Sequence, residues 1–186
     1  MEFTTREKLA WTAAKLFQEK GYHGAGLAEI LKATGLPKGS LYHHFPNGKS
    51  DLALEAAALA HRETTRIIDD AFRDASSYRD GATTLFYKLA KLFDVMGKHT
   101  GCPISNILFA GPDHDAFRQK SAEYFQAWMN QIADHAEKLG EPRASAETEA
   151  QRLFLVLQGG WTLARATENS DAIRSLPALF LFKNED

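Results

Sequence analysis

Apolar residues recur at three- and four-residue intervals along nearly the whole chain, and no stretch alternates strictly between hairpin turns. The pattern therefore predicts an all-α protein of eight or nine helices. The first begins at Thr4, with Glu7 three residues on to form a capping box. It carries Leu9, Ala13, Leu16 and Phe17 on one side and stops at Gly21. Leu27, Ile30 and Leu31 mark a shorter helix that ends at Gly35, and "GLPKGSLYHHF", residues 35–45, supplies the third. After "PNGKSD" a long helix runs towards Phe72, "SSYRDG" breaks the pattern, and Leu85, Leu89, Leu92, Phe93 and Met96 mark a fifth.

The segment "GKHTGCPISNILFAGPDHD" has one short apolar piece, Ile104 to Phe109, between glycine and proline turns, and reads as a brief connecting helix. Phe117, Tyr124, Phe125, Trp128 and Ile132 form a helical stripe that ends near Gly140. From about Ala146 to Thr167 the apolar residues Leu153 to Leu157, Trp161, Leu163 and Ala164 cover most of the helix circumference, so this helix needs partners on more than one side. A final piece, Ser170 to Phe182, contains Pro177 and is expected to kink or break there.

Residues 38–45 carry an unusual mixture of side chains. On a helix turning about 100° per residue, Leu41 and Phe45 fall about 40° apart and point inward, while Gly39, Ser40, Tyr42 and His43 spread over the opposite side. That outer face is small, polar and aromatic and has no acidic residue; Lys38 opens it and Lys49 follows it. Helix, tight turn and helix with such a face suit the major groove of DNA. Gly39 permits close approach, Ser40 can bond to base edges or phosphates, Tyr42, His43 and His44 offer donors and flat apolar contact, and Lys38 and Lys49 supply positive charge for phosphates. A glycine turn before a polar helix face is also common in ordinary helical bundles, so spacing alone leaves both readings open.

Charge and composition sharpen the picture. The net charge is −2 over 186 residues, but residues 1–50 hold seven Lys or Arg against four Asp or Glu, so the basic character lies at the front. No run of about 18 apolar residues exists and the N-terminus has no cleavable apolar segment, so a cytoplasmic protein is expected. The single cysteine, Cys102, cannot form an internal disulfide, which suits a reducing compartment.

The stretch "GYHGAGLAEILKATGLPKGSLYHHF", with Lys49 and Leu52 after it, resembles the DNA-binding region of the TetR family of transcriptional regulators. The resemblance covers residues 5 to 52. It implies an N-terminal three-helix helix-turn-helix domain, residues 1–50, and a C-terminal helical effector-binding and dimerisation domain, residues 51–186. It further implies a homodimer that releases DNA when a small molecule fills its pocket. Carried over by position, Lys38, Ser40, Tyr42, His43 and His44 look like recognition-helix positions and Lys49 like a phosphate contact. Many family members have Ser or Thr where this chain has Ala25 and Gly26, and the loop "HFPNGKSDL" is one residue longer than the commoner pattern. That loop, together with "GCPISN", looks like the LmrA/YxaF-like branch, many of whose members repress genes for drug efflux or for oxidation of small aromatic compounds.

An effector pocket should be apolar with a few convergent polar groups. Phe86, Phe93, Met96, Phe109, Phe117, Phe125, Trp128 and Trp161 are the candidate lining, with His61, His99, Asn106 and Gln158 as polar contributors; any one of these aromatics is more often plain core. Gly159 and Gly160, inside the all-round apolar helix, cost about 1 kcal/mol each relative to alanine. Close approach of another helix is the economical explanation, with a homodimer formed through residues 146–182.

Rival readings have less to stand on. Cys102 with His99 has no third catalytic member, so no enzyme is expected. A redox switch at Cys102 has only Lys98 and His99 nearby to lower its pKa. For a metal or cofactor there is no cysteine pair and no H-E-x-x-H, and His43 and His44 point about 100° apart, so neither is expected. A helical binding module with negligible DNA affinity is the remaining alternative.

Overall fold

A computed structural model describes residues 3–98, 100–109 and 114–180. His99 and the last two residues of the 146–182 segment lie outside them. The described residues contain ten α-helices and no strand. They run α1 (Thr5–Gly24), α2 (Leu27–Thr34), α3 (Lys38–His44), α4 (Lys49–Phe72), α5 (Tyr78–Val95), α6 (Pro103–Leu108), α7 (His114–Lys138), α8 (Arg143–Thr167), α9 (Asp171–Arg174) and α10 (Leu176–Phe180).

The helix boundaries follow local chemistry. Thr4 caps α1 by accepting from the Glu7 N–H, and Glu7 accepts in return from the Thr4 N–H at 2.9 Å, which is the reciprocal box. Regular helix ends at Gly21, as the pattern predicts, because its φ of 71° and ψ of 172° lie in a region open essentially to glycine alone; a further short turn beyond this kink carries α1 to Gly24. The "SSYRDG" break is shorter than the pattern suggests, because Ser77 caps α5 at once and Gly81 lies inside the helix. A Cβ at Gly81 would collide with the Phe72 ring. At the other end the chain breaks at Ser175, two residues before Pro177, which occupies the first turn of α10 where its missing N–H costs nothing.

Two compact units result, and both α4 and α7 contribute residues to each: the first comprises residues 1–63 and 101–124, the second 64–100 and 125–186. In the first unit α1, α2, α3, the start of α4 and α6 enclose Leu9, Phe17, Ile30, Leu41, Phe45, Leu52, Ile104 and Ile107, all essentially without solvent contact. Phe117, from the start of α7, sets the edge of its ring against Tyr22, which also stacks on Phe17.

In the second unit Leu85, Phe86, Leu89 and Phe93 form the inward face of α5. The Tyr78 hydroxyl donates to the Glu149 carbonyl at 3.0 Å, and burial pushes its pKa above the usual phenol value. Arg143 gathers Asp134, Glu137 and Glu147, tying the end of α7 to the start of α8. Asp94 accepts from Arg174 and from Ser170, which fixes α9 beside α5.

Candidate nucleic-acid interface

Three local features set the candidate recognition face. Gly35 adopts the left-handed conformation (φ 68°, ψ 17°) and donates its N–H to the Leu31 carbonyl, so α2 ends in a single residue. Gly26 caps α2 without a side-chain hydrogen bond, as its missing side chain requires, and Ala25 before it is fully buried. Pro37 stands in extended backbone as the N-cap of α3. From there Leu41 and Phe45 turn into the core, while Lys38, Gly39, Tyr42 and His43 are exposed and Ser40 and His44 are half-buried. All six predicted α3 positions therefore lie on one short helix, with its outer side open.

The loop after α3 is built around Gly48. Its φ of 63° is left-handed, its N–H donates to the Phe45 carbonyl at 2.8 Å, and it is buried. A Cβ there would come within 3.3 Å of the Tyr42 ring and 3.6 Å of Leu27, so the glycine lets Tyr42 settle on the loop. Lys38 places its ammonium 5.6 Å from the centroid of the same ring. Tyr42 thus has two neighbours to orient it, yet remains 42% exposed. The longer loop is absorbed by Asn47, whose backbone and side-chain N–H groups both donate to the Asp51 carboxylate. This turns the nearest acidic group in sequence towards the loop backbone.

Lys49, the first residue of α4, has its Nζ 4.7 Å from the centroid of the Tyr22 ring. Its partial desolvation lowers its pKa from the usual lysine value, and the aromatic face holds the ammonium in place. The His43 and His44 rings meet edge to face at 4.9 Å. Arg6 pairs with Glu55 at 2.5 Å and lies over the Phe45 ring, and Lys20 pairs with Glu29 across α1 and α2. Tyr22, Gly48 and Arg6 were not among the predicted site residues. Their partners are distant in sequence or depend on loop geometry, and only the glycine in "PNGK" hints at the turn.

The predicted effector residues divide between the two units. Phe109 and Phe117 belong to the first, where Phe109 is 62% exposed and Phe117 is buried against Tyr22. Phe86, Phe93, Met96, Phe125, Trp128 and Trp161 belong to the second. There Phe125, Trp128 and Phe154 form one ring cluster, with centroids 5.0 to 6.5 Å apart. Phe93 and Trp161 form another, and the Trp161 indole N–H donates to the Thr100 carbonyl at 3.0 Å. Gln158 is half-buried on α8. His61 stacks on Tyr124 in the first unit at 4.3 Å, and Asn106 turns its amide to α1. Cys102 is the half-buried N-cap residue of α6. Among the described residues no three His, Cys, Asp or Glu side chains come together as a metal site, and no helix is long and apolar enough to cross a membrane.

Comparison with known proteins agrees with this geometry. Residues 11–56 match the family "Bacterial regulatory proteins, tetR family", and residues 79–178 match "Transcriptional regulator LmrA/YxaF-like, C-terminal domain". The chain is 36% identical over 152 residues to the HTH-type transcriptional regulator YxaF of Bacillus subtilis strain 168, covering 80% of this chain and 76% of that one. It is 29% identical over 168 residues to LmrA of the same strain, covering 89% of each. Among solved structures, the regulatory protein TetR from Rhodobacter sphaeroides superposes with a TM-score of 0.80 at 26% identity, over 93% of this chain and 95% of that one. The regulator CifR, solved with a 26-bp double-strand operator DNA, shares the fold with a TM-score of 0.81 at 22% identity, over 97% and 96%. With a helix-turn-helix whose outer face is open and basic, and with family matches over both halves of the chain, this protein belongs to the TetR family of DNA-binding transcriptional regulators, in its LmrA/YxaF-like branch.

Proposed function

We propose that the protein is a cytoplasmic homodimeric repressor that holds a palindromic operator and releases it on binding a small aromatic or lipophilic effector. The observation that carries the reading is the open, acid-free outer side of α3, with Leu41 and Phe45 anchored beneath it. Ser40, Tyr42, His43 and His44 read base edges and backbone in the major groove, Gly39 lets the DNA approach closely, and Lys38 and Lys49 meet phosphates.

The dimer forms through α8 and α10. Leu155 and Leu163 are 62% and 56% exposed, and with Gly159 between them they follow the i, i+4, i+8 spacing of one helical stripe. Nothing lies within 4 Å of a Cβ placed on Gly159, so this glycine offers bare backbone to a neighbour. Leu179 of α10, 75% exposed, extends the apolar surface. A two-fold pair buries this stripe against its copy and sets the two recognition helices about 34 to 36 Å apart, one turn of B-DNA.

The effector meets the aromatic groups of the second unit, with Phe86, Phe93, Met96, Phe125, Trp128 and Trp161 as its contacts. By linkage it lowers operator affinity by the ratio of its affinities for the DNA-free and DNA-bound protein.

The test begins with duplexes selected by the protein from random sequence. A palindromic consensus bound with steep salt dependence is expected, and calorimetry against aromatic ligands then compares free and operator-bound protein. Failure to enrich any sequence overturns the DNA-binding role. Equal ligand affinity of the two forms overturns release.

A further inference from the structure

Helix α1 has a joint. Its ladder cannot continue regularly through Gly21, whose dihedrals are not helical, so carbonyls in the turn before the joint need donors from elsewhere. Asn106 of α6 provides them: its Nδ2 donates to the Gln18 carbonyl at 2.7 Å and to the Phe17 carbonyl at 3.2 Å.

The surroundings are shaped to allow this. Gly101 is buried, and a Cβ there would stand 2.7 Å from Asn106 Oδ1 and 2.8 Å from its Cγ, so any larger residue would push the amide away. Pro103 opens α6, and one turn later the Asn106 N–H closes on the Cys102 carbonyl, fixing the side chain's launching point. Ile104, Ile107 and Leu108 are buried, so α6 is seated by its apolar residues while Asn106 makes the polar contact. The "GCPISN" segment is therefore a device that presents one amide to the end of one helix.

Beyond the joint lie the parts that face DNA. Tyr22 follows Gly21 directly and carries Lys49 over its ring. Three residues further on, Ala25 and Gly26 lead into α2, the brace of the recognition helix, and the Ala25 N–H returns to the Gly21 carbonyl at 3.3 Å. A change in angle at Gly21 shifts Tyr22, and the seat of Lys49 with it.

We propose that Asn106 is a positioning residue for operator binding, clamping the Gly21 joint of α1 in the geometry that seats Lys49 over Tyr22. The proposal rests on the operator-binding reading, and the test separates the two. Full-length Asn106→Asp keeps the size of the side chain but replaces its donor with an acceptor facing two carbonyls; Asn106→Ala removes the group without adding charge. Deprived of both hydrogen bonds, each variant is expected to bind the wild-type-selected duplex about tenfold more weakly or worse.

A general loss of stability would also weaken binding, so a double-mutant cycle with Lys49→Ala decides. In the Asn106→Ala background Lys49→Ala should add little, and both single variants should flatten the salt dependence by a similar amount. Additive losses, or unchanged operator affinity, overturn the proposal. Hydrogen exchange without DNA supplies the independent reading: amides of Tyr22 to Ala25 should exchange faster in both variants, while those of Leu85 to Phe93 stay as in wild type. Unchanged exchange at Tyr22 to Ala25 overturns the clamp. A wild type that selects no duplex overturns the operator reading instead, with the clamp still judged by exchange.

Discussion

Gly160 gives its side-chain space to Leu176: a Cβ on Gly160 would lie 2.7 Å from Leu176 Cδ1 and 3.3 Å from the Ala172 carbonyl oxygen. Its neighbour Gly159 faces open space. The two adjacent glycines, alike in sequence, therefore serve different surfaces. Gly160→Ala should overpack the α8–α10 contact at a cost of about 1 to 3 kcal/mol, offset by about 1 kcal/mol of regained helix propensity, so stability in thermal or urea unfolding should fall by up to about 2 kcal/mol. Gly159→Ala meets nothing within its own subunit and removes a helix penalty of about 1 kcal/mol, but it puts a methyl where the proposed dimer brings two helices together, so it should weaken self-association rather than the fold of the subunit. An equal loss in both variants would remove the distinction.

Leu163→Glu places a charge in the proposed α8 stripe without touching the buried face carried by Phe154, Trp161 and Ala164. Sedimentation should show a shift towards monomer with helical content retained, and operator affinity should fall because a single recognition helix reads only half a site. A Leu163→Glu protein that stays dimeric would relocate the interface.

Tyr42→Ala removes a ring that Gly48 and Lys38 orient. Binding to the selected operator should weaken more than binding to unrelated duplex, since the ring is a fixed part of the reading face. Equal weakening of both would make Tyr42 a backbone contact only.

Lys49→Ala should weaken specific and nonspecific binding together, and should reduce the log–log salt slope by about 0.9 for each phosphate that is no longer neutralised. Tyr22→Leu, which removes the aromatic seat and keeps the lysine, should fall between wild type and Lys49→Ala. A Tyr22→Leu protein with wild-type affinity would show that the seat is dispensable.

His61 gives the first unit a sensitivity to acid. Burial lowers its pKa from the ordinary histidine value of 6.5; Arg62 and Lys120 act in the same direction and Glu123 opposes them, while its ring stacks on Tyr124. The unfolded chain therefore takes up a proton that the folded chain resists. This contribution to stability is complete above the unfolded value and declines as pH falls below about 6.5. His61→Phe keeps a ring on Tyr124 and removes the proton. Its melting temperature should fall less between pH 7 and pH 5 than that of wild type; identical slopes would show that His61 does not titrate as stated.

The helix-turn-helix that carries the proposed recognition face is legible in the sequence because its determinants are local. Gly35, Leu41 and Phe45 lie within eleven residues, and helical geometry alone assigns their directions. The Thr4–Glu7 cap is legible for the same reason. What escapes are contacts closed by the fold: Lys49 over Tyr22, and the Asn106 amide on carbonyls 88 and 89 residues away. Asn106 reads as a polar group for a pocket because sequence supplies a residue's chemistry without its direction. Pro177 misplaces a helix break by two residues because proline suits a first helical turn as well as it ends one. The aromatic set reads as one lining, and the fold distributes it over two units, with Phe117 packed against Tyr22 in the first.

The first unit is assembled from two stretches of chain, residues 1–63 and 101–124, separated by a stretch that belongs to the second. Anyone wishing to exchange operator specificity between relatives cannot therefore transplant an N-terminal fragment alone. Parted from its own α6, such a graft would have to pack against the recipient's counterpart in place of Ile104 and Ile107, and would lose the amide that answers the Phe17 and Gln18 carbonyls. A chimaera that keeps this packing and the proposed clamp takes both pieces from the same parent.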